Sequence, residues 1–324
     1  MGARVSSLTL TRVGGIRVGH ASTPDGHSGV TAILFGAGRP AVVDIGGGAS
    51  ATYDTASLGL DATFGRRWGV FFSGGSLYGL DAARGVRTRI LEEGGGTQAF
   101  ENPHPLVPLT GAALFDLPRV MGPLPDYIPL GYAAACDASK RPVVGGRIGA
   151  GSGASVGKYL GRGRSMPGGL GSSALFVRSL GWVGALAVVN SVGAVRDHAT
   201  GSWLAGARGR KGQVIPPRLG SVGRRSGNRG TTLALIATEV ALGRSALRRL
   251  AVSARLGLAR TIIPFNTSSD GDVVFGVSTE RIPQPRREAW PGATVDRLGL
   301  AVAEVAAQAA ENAVRAGDSN LTTN

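Results

Sequence analysis

Short apolar runs closed by glycine come in batches along this chain, and that order limits its fold more than any other feature. Val30–Phe35 (VTAILF), Ala41–Gly46 (AVVDIG) and Trp68–Gly75 (WGVFFSGG) have the length and turn boundaries of buried strands. A helix is predicted over Ser76–Gly94, with Ser76 near its start and Gly94 near its end. After a proline-rich crossing, Pro103–Pro129, the segments Ser173–Ser179, Trp182–Gly193 and Thr231–Val240 read as strands. Ser245–Ile262 places Leu247, Leu250, Val252, Leu256 and Leu258 largely on one side and arginines elsewhere, the pattern of an amphipathic helix. Asp272–Thr279 is a further strand, and Thr294–Gly317 an alanine-rich helix stopped by Gly317. Batches of strands and helices predict an α+β fold with helices packed on a mixed or antiparallel sheet system, not a doubly wound parallel sheet. No linker of disorder-prone composition divides residues 1–324, so one domain is expected.

Composition narrows the function classes. The 53 glycines fall inside apolar segments, where they serve tight turns and close packing rather than low complexity. No run approaches the roughly 20 apolar residues of a membrane span, and the N-terminus has no apolar stretch of signal-peptide length, so a cytoplasmic protein without membrane contact is expected. The single cysteine, Cys136, excludes an internal disulfide framework and reads as a small buried hydrophobe. A net charge of +14 raises nucleic acid as a partner, but only three of the 35 basic residues are lysines and the arginines are scattered. The one concentrated run, Arg208, Arg210, Lys211, Arg218, Arg224, Arg225 and Arg229, has no stacking aromatics beyond Trp203 and reads as a solvated connector. The expectation is therefore no nucleic acid.

Most motifs fail on inspection. The stretch Gly146–Gly161 (GRIGAGSGASVGKYLG) departs from a phosphate loop at Ser152, where glycine is needed, and at Tyr159, where Ser or Thr should hold magnesium. It leaves Lys158, in a chain nearly devoid of lysine, beside a run of backbone N–H groups. His20, His27, His104 and His198 lack metal-ligand spacing, so no metal or cofactor is expected. No serine stands in a nucleophile elbow. What remains is Gly230-Thr231-Thr232, running from a polar loop straight into an apolar strand, and Asp270-Gly271-Asp272 at the start of another. A threonine after a glycine can attack the preceding carbonyl, shift the acyl group from nitrogen to oxygen, and be freed by water. The released α-amine, with a pKa near ~8, is then a base on the residue whose hydroxyl it activates.

These residues, with GGIRVGHAS, SGGSLYGLDAARGV, LTGAALFDLP, GRIGAGSGASVGK, VVNSVGAV and NTSSDGDVVFGVST in this order over most of the chain, resemble the L-aminopeptidase/D-esterase family, which includes β-aminopeptidases and nylon-oligomer hydrolases. The resemblance implies a four-layer αββα sandwich of the ornithine-acetyltransferase-like type. It also implies self-cleavage between Gly230 and Thr231 into residues 1–230 and 231–324, with Thr231 as N-terminal nucleophile. By the same motifs, Asp270 and Asp272 would polarise the Thr231 amine and hydroxyl, and Lys158 and Asn190 would face the developing oxyanion. Family members often place a tyrosine near the nucleophile; Phe115 or Tyr132 is the pocket candidate, with Tyr127 nearby in sequence. The Gly-Thr junction joins the glycine of the aminopeptidase branch to the threonine of the nylon-oligomer branch, which leaves the branch open. The implied substrates are small peptides or amide oligomers, including β-amino and 6-aminohexanoate oligomers. The implied assembly is a homo-oligomer of processed heterodimers, commonly a tetramer of them. An acyltransferase using Thr231 as acyl carrier, and more remotely a basic nucleic-acid-binding protein, are the competing readings.

Overall fold

The computed structural model describes residues 8–99, 101, 103–117, 122–221, 229–285 and 292–319. Nine strands form its main sheet system: β1 (Arg17–Ser22), β2 (Gly29–Ile45), β3 (Ala51–Tyr53), β4 (Arg66–Ser73), β5 (Leu109–Ala113), β6 (Gly169–Val177), β7 (Gly181–Asn190), β8 (Thr231–Val240) and β9 (Val273–Ile282). The helices α1 (Ala82–Glu92), α2 (Tyr127–Asp137), α3 (Arg244–Thr261) and α4 (Ala293–Ser319) flank it. Strand pairing runs β3-β5-β4-β2-β9-β8-β7-β6, with β1 also on β2. The β8–β9 pair is parallel and the β8–β7 pair antiparallel, so the start of β8 meets the start of β9 and the end of β7.

Strand β2 is the hinge of the architecture. Its Gly29–Leu34 segment pairs with β1 and β4, whereas Ala41–Ile45 pairs with β9, and the register to β4 shifts between Leu34 and Arg39. Gly36, at φ 68°, takes the left-handed conformation that this bend requires. The two segments read from sequence as separate strands are thus one bent strand shared by two sheets.

Alternation along the strands sorts the apolar side chains into three layers. Val30, Ala32, Leu34 and Phe71 pack on Val86 and Ile90 of α1 and Ala134 and Ala135 of α2. Ile33, Phe35, Val70 and Phe72 point the other way, onto Leu186, Val188, Leu233, Leu235 and Phe275. Ala185, Ala187, Ala234 and Ile236 then meet Leu247, Leu250 and Ala254 of α3 and Val302, Val305 and Ala309 of α4. Helices, sheet, sheet, helices is the αββα sandwich. Each fully buried Leu, Ile, Val or Phe contributes about 1.5–3 kcal/mol relative to exposure, and the middle layer is built almost wholly of them.

Local readings needed correction. Ser76–Asp81 is a 3-10 turn, and only Ala82–Glu92 of the expected helix is α-helical. Helix α2 begins inside the supposed crossing: the Asp126 carboxylate accepts the Ile128 N–H, and Pro129 sits in the first turn, where its missing N–H costs nothing. Cys136 is exposed, because α2 buries Gly131, Ala134 and Ala135 instead. In α3 the buried stripe is Leu247, Leu250, Ala251, Ala254, Gly257 and Leu258, and Leu256 faces out. Gly317 does not end α4, which runs to Ser319; a Cβ there would lie 2.2 Å from the Gly168 carbonyl oxygen, so this glycine serves close packing. In the basic run Arg208, Arg210, Lys211 and Arg218 are exposed; Arg224 and Arg225 lie outside the described residues. Among the described residues no helix is long and apolar enough to cross a membrane, and no group of His, Cys, Asp and Glu could hold a metal ion.

Helices α3 and α4 touch backbone to backbone at Gly257, where an added Cβ would lie 2.1 Å from the Ala303 carbonyl oxygen. Gly257→Ala is expected to lower stability by about 1–3 kcal/mol in denaturant unfolding, despite alanine's higher helix propensity.

Candidate active site

Strand geometry brings four distant segments to one point. Thr231, the first residue of β8, stands opposite Asn190, the last of β7. Gly230 bridges to Asp270 just ahead of β9, and Lys158 lies in a 3-10 turn that Gly157 and Lys158 pin to the strand end by donating their backbone N–H groups to the Gly193 and Val192 carbonyls, at 2.8 and 2.9 Å. Gly157 adopts φ 77°, and a Cβ there would lie 1.9 Å from the Gly206 carbonyl carbon, so only glycine allows the turn. Thr231, Asp270, Asp272, Lys158 and Asn190 are each 3% exposed or less.

The Thr231 hydroxyl donates to the Gly230 carbonyl oxygen at 2.5 Å. That same oxygen accepts the Gly271 N–H at 3.0 Å. The carbonyl preceding the threonine is therefore already in contact with a hydroxyl and polarised by a backbone donor. Gly230 is not in the left-handed region. Its lack of a side chain matters for space: a Cβ would lie 2.3 Å from Asp270 Oδ1 and 2.4 Å from the Val192 nitrogen.

Both carboxylates are held by donors. Asp270 accepts the Val192 N–H at 3.1 Å and the Thr267 hydroxyl at 2.6 Å. Asp272 accepts the Thr232 N–H at 2.6 Å and the Asn266 N–H at 2.9 Å, the latter from a residue at φ 56°. Burial, and then the neighbouring Asp270, push the Asp272 carboxyl up to about 7. Gly46, Gly47 and Ala49 clamp the turn from β2 by donating to the Asp272 and Asp270 carbonyls at 3.0, 3.1 and 2.9 Å. On the other flank Lys158 Nζ donates to both oxygens of Asn190, at 2.5 and 2.7 Å. The Ser155 N–H also reaches Asn190 Oδ1, at 3.0 Å, which leaves Asn190 Nδ2 to donate to the Phe115 carbonyl at 3.2 Å.

Phe115 is thus half-buried beside the cluster, whereas Tyr132 is not brought to it. The Tyr132 hydroxyl donates to Glu92 at 2.8 Å, on the outer side of α2. Three contributors escaped the sequence reading. The Gly271 N–H and the Gly46–Ala49 clamp are backbone groups whose partners appear only on folding. Asp116 is the third: it is buried, accepts Ser28 Oγ at 2.9 Å and the Gly75 N–H at 2.7 Å, and burial raises its carboxyl to about 6 against these bonds and the attraction of Lys158. Its place directly after Phe115 was the available signal.

Comparison with known proteins places the whole chain rather than single residues. The model of peptidase family S58 matches residues 9–323. An uncharacterized aminopeptidase of Mycobacterium tuberculosis (strain ATCC 25618 / H37Rv) is 36% identical over 95% of this chain and 93% of its own length. A 6-aminohexanoate-oligomer endohydrolase of Kocuria sp. (strain KY2) is 31% identical over 92% of this chain and 81% of its own. The solved L-aminopeptidase D-Ala-esterase/amidase from Ochrobactrum anthropi, described as a variant of the Ntn hydrolase fold, superposes with a TM-score of 0.66 at 21% identity, over 98% of this chain and 88% of that one.

The raised Asp272 carboxyl sets a pH dependence. Its folded pKa of about 7 lies above the unfolded value near ~4, so its stabilising effect is complete below ~4 and is lost as pH rises through about 7. In the unbroken Thr231→Ala chain, melting temperature should fall across that window relative to the same chain carrying Asp272→Asn, which mimics the neutral acid. A temperature difference that stays flat with pH would remove the assignment.

Proposed function

As a member of peptidase family S58 the chain is a hydrolase of amide bonds, and we propose that it acts as a self-processed N-terminal threonine hydrolase, cut between Gly230 and Thr231 into residues 1–230 and 231–324 of one domain. The observation that carries this reading is the 2.5 Å contact of Thr231 Oγ1 with the Gly230 carbonyl oxygen. A small rotation turns that hydroxyl from the oxygen to the carbon. As Oγ1 bonds to the carbonyl carbon, negative charge grows on the oxygen that already accepts the Gly271 N–H. The C–N bond then breaks, the hydroxyl proton ends on the Thr231 nitrogen, and Gly230 is left as an ester of Thr231. Water hydrolyses the ester to a Gly230 carboxylate and a free threonine.

The new amine is formed beside Asp270 and Asp272, which hold it and orient its lone pair toward the hydroxyl. A positive charge there draws the Asp272 carboxyl back toward the ionised form. In turnover the amine takes the hydroxyl proton as Oγ1 attacks the substrate carbonyl, then gives it to the departing amine; water releases the acyl group by the reverse path. Lys158 and Asn190 face the substrate oxyanion, where one such donor contributes about 3–4 kcal/mol to the barrier. No cofactor enters the scheme, because the Thr231 amine carries the proton between the hydroxyl and the departing amine. Phe115 lines the pocket. The substrates are peptides or related amides with a free amino end, extending to β-amino and 6-aminohexanoate oligomers, in line with the similarity to aminopeptidases and to an oligomer endohydrolase. Processed heterodimers assemble into a homo-oligomer, a tetramer of heterodimers, in the cytoplasm.

Denaturing mass measurement with N-terminal sequencing tests the cut. Two fragments are expected, the smaller beginning at Thr231, and Thr231→Ala should give one chain of 32.9 kDa with no amide turnover. Turnover by that variant would overturn the assignment. Lys158→Met and Asn190→Ala should each lower kcat by roughly 10²–10³-fold in processed, folded protein; unchanged kinetics in both would take them out of the site.

A further inference from the structure

Arginine pairs are a recurring device of this chain. Asp44 is held by Arg248 and Arg255 at 2.8 and 2.7 Å, Glu280 by Arg66 and Arg39 at 2.5 and 3.6 Å, and Glu93 by Arg17 and Arg89 at 2.6 and 3.1 Å. Each time, two guanidiniums converge on one carboxylate.

A fourth pair has no carboxylate. The guanidiniums of Arg162 and Arg229 lie over the Phe115 ring, 5.2 and 5.8 Å from its centroid. Among the described residues neither guanidinium makes an ion pair or a hydrogen bond. Arg162 is half-buried, and burial together with the charge of Arg229 lowers its pKa. An aromatic face attracts a cation, but it satisfies none of the planar N–H donors that suit a carboxylate. Two like charges held together without an acid are the arrangement that an incoming anion relieves.

The pair also stands in the right place. Arg229 precedes Thr231 by two residues, a span of at most about 7 Å of extended chain. Phe115, on which both arginines rest, accepts the Asn190 side-chain N–H through its carbonyl, and Asn190 is the strand partner of Thr231.

We infer that Arg162 and Arg229 form an anion subsite that takes the free carboxylate of the substrate's leaving part, selecting amides whose departing amine belongs to an amino acid with an open carboxyl end. This rests on the proposed hydrolase reading and names its substrate class more closely. The clasp matches the three internal pairs, with the substrate supplying the fourth acid.

The test compares 6-aminohexanoate with 6-aminohexanamide, which differ only in the terminal carboxylate, by calorimetric titration of the processed protein and of processed Arg162→Gln. The carboxylate should bind at least ~10-fold tighter than the amide to the unaltered protein, with the advantage weakening at high salt and collapsing in Arg162→Gln. Arg162→Lys, which keeps the charge without the planar fork, should retain part of it and guards against a folding defect. Equal binding of the two compounds would overturn the inference and leave the pair to the carboxylate that processing creates at Gly230. An advantage that survives in Arg162→Gln would overturn it as well. Turnover of a 6-aminohexanoate oligomer with an open carboxyl end is measured separately: its absence would sink the hydrolase reading while the binding difference still reports on the arginines.

Discussion

Two carboxylates one residue apart are buried where β8 and β9 begin, and the rest of the site is arranged around the cost of keeping them there. An isolated buried charge is very unfavourable, so each carboxylate is met by backbone N–H groups: Val192 for Asp270, Thr232 and Asn266 for Asp272. Those donors come from the end of β7, the start of β8 and the turn before β9, so the carboxylates tie three strands together at the residue where the chain is proposed to cut itself. Backbones approach so closely here that Gly47, Gly230 and Gly271 have no room for a Cβ: the nearest atoms would lie at 2.3, 2.3 and 2.8 Å.

That crowding has a chemical consequence. The Gly271 N–H and the Thr231 hydroxyl together hold the Gly230 carbonyl against the group proposed to attack it. Preorganisation of this kind removes reorganisation from the barrier, and it uses groups that exist before any cut is made. The raised Asp272 carboxyl fits the same picture. An uncleaved chain offers no cation at the amide nitrogen of Thr231, so one of the two acids stays protonated more readily; a free amine supplies the missing positive charge.

The batches of strands and helices made the α+β class legible, whereas the four layers were implied only by the family resemblance. In β8, Leu233 and Leu235 face the other sheet and Ala234 and Ile236 face the helices, both sides apolar, as a buried central strand requires. Motif order marked Thr231, Asp270, Asp272, Lys158 and Asn190, which folding gathers from positions up to 114 residues apart in sequence. Helix α2 was not legible, since Pro129 looked like a breaker when read without its Asp126 cap. Cys136 was misread because α2 buries Tyr127, Gly131, Ala134 and Ala135 instead, and Leu256 because the buried stripe of α3 runs through Ala254, Gly257 and Leu258 and leaves it outside. Tyr132 was drawn toward the pocket by sequence proximity, whereas α2 turns its hydroxyl to Glu92.

By itself the sequence determined the class of chemistry, because the ordered motifs along the chain are those of an amide-hydrolase family. It also determined the α+β class, since short buried runs and helical spacing are local properties of the chain. Tertiary structure alone decided which groups serve the Gly230 carbonyl, why Gly230 must be glycine, and where two unpaired arginines meet over Phe115. Those are relations between atoms far apart in sequence, and backbone donors and packing distances carry no signature in the identity of any one residue.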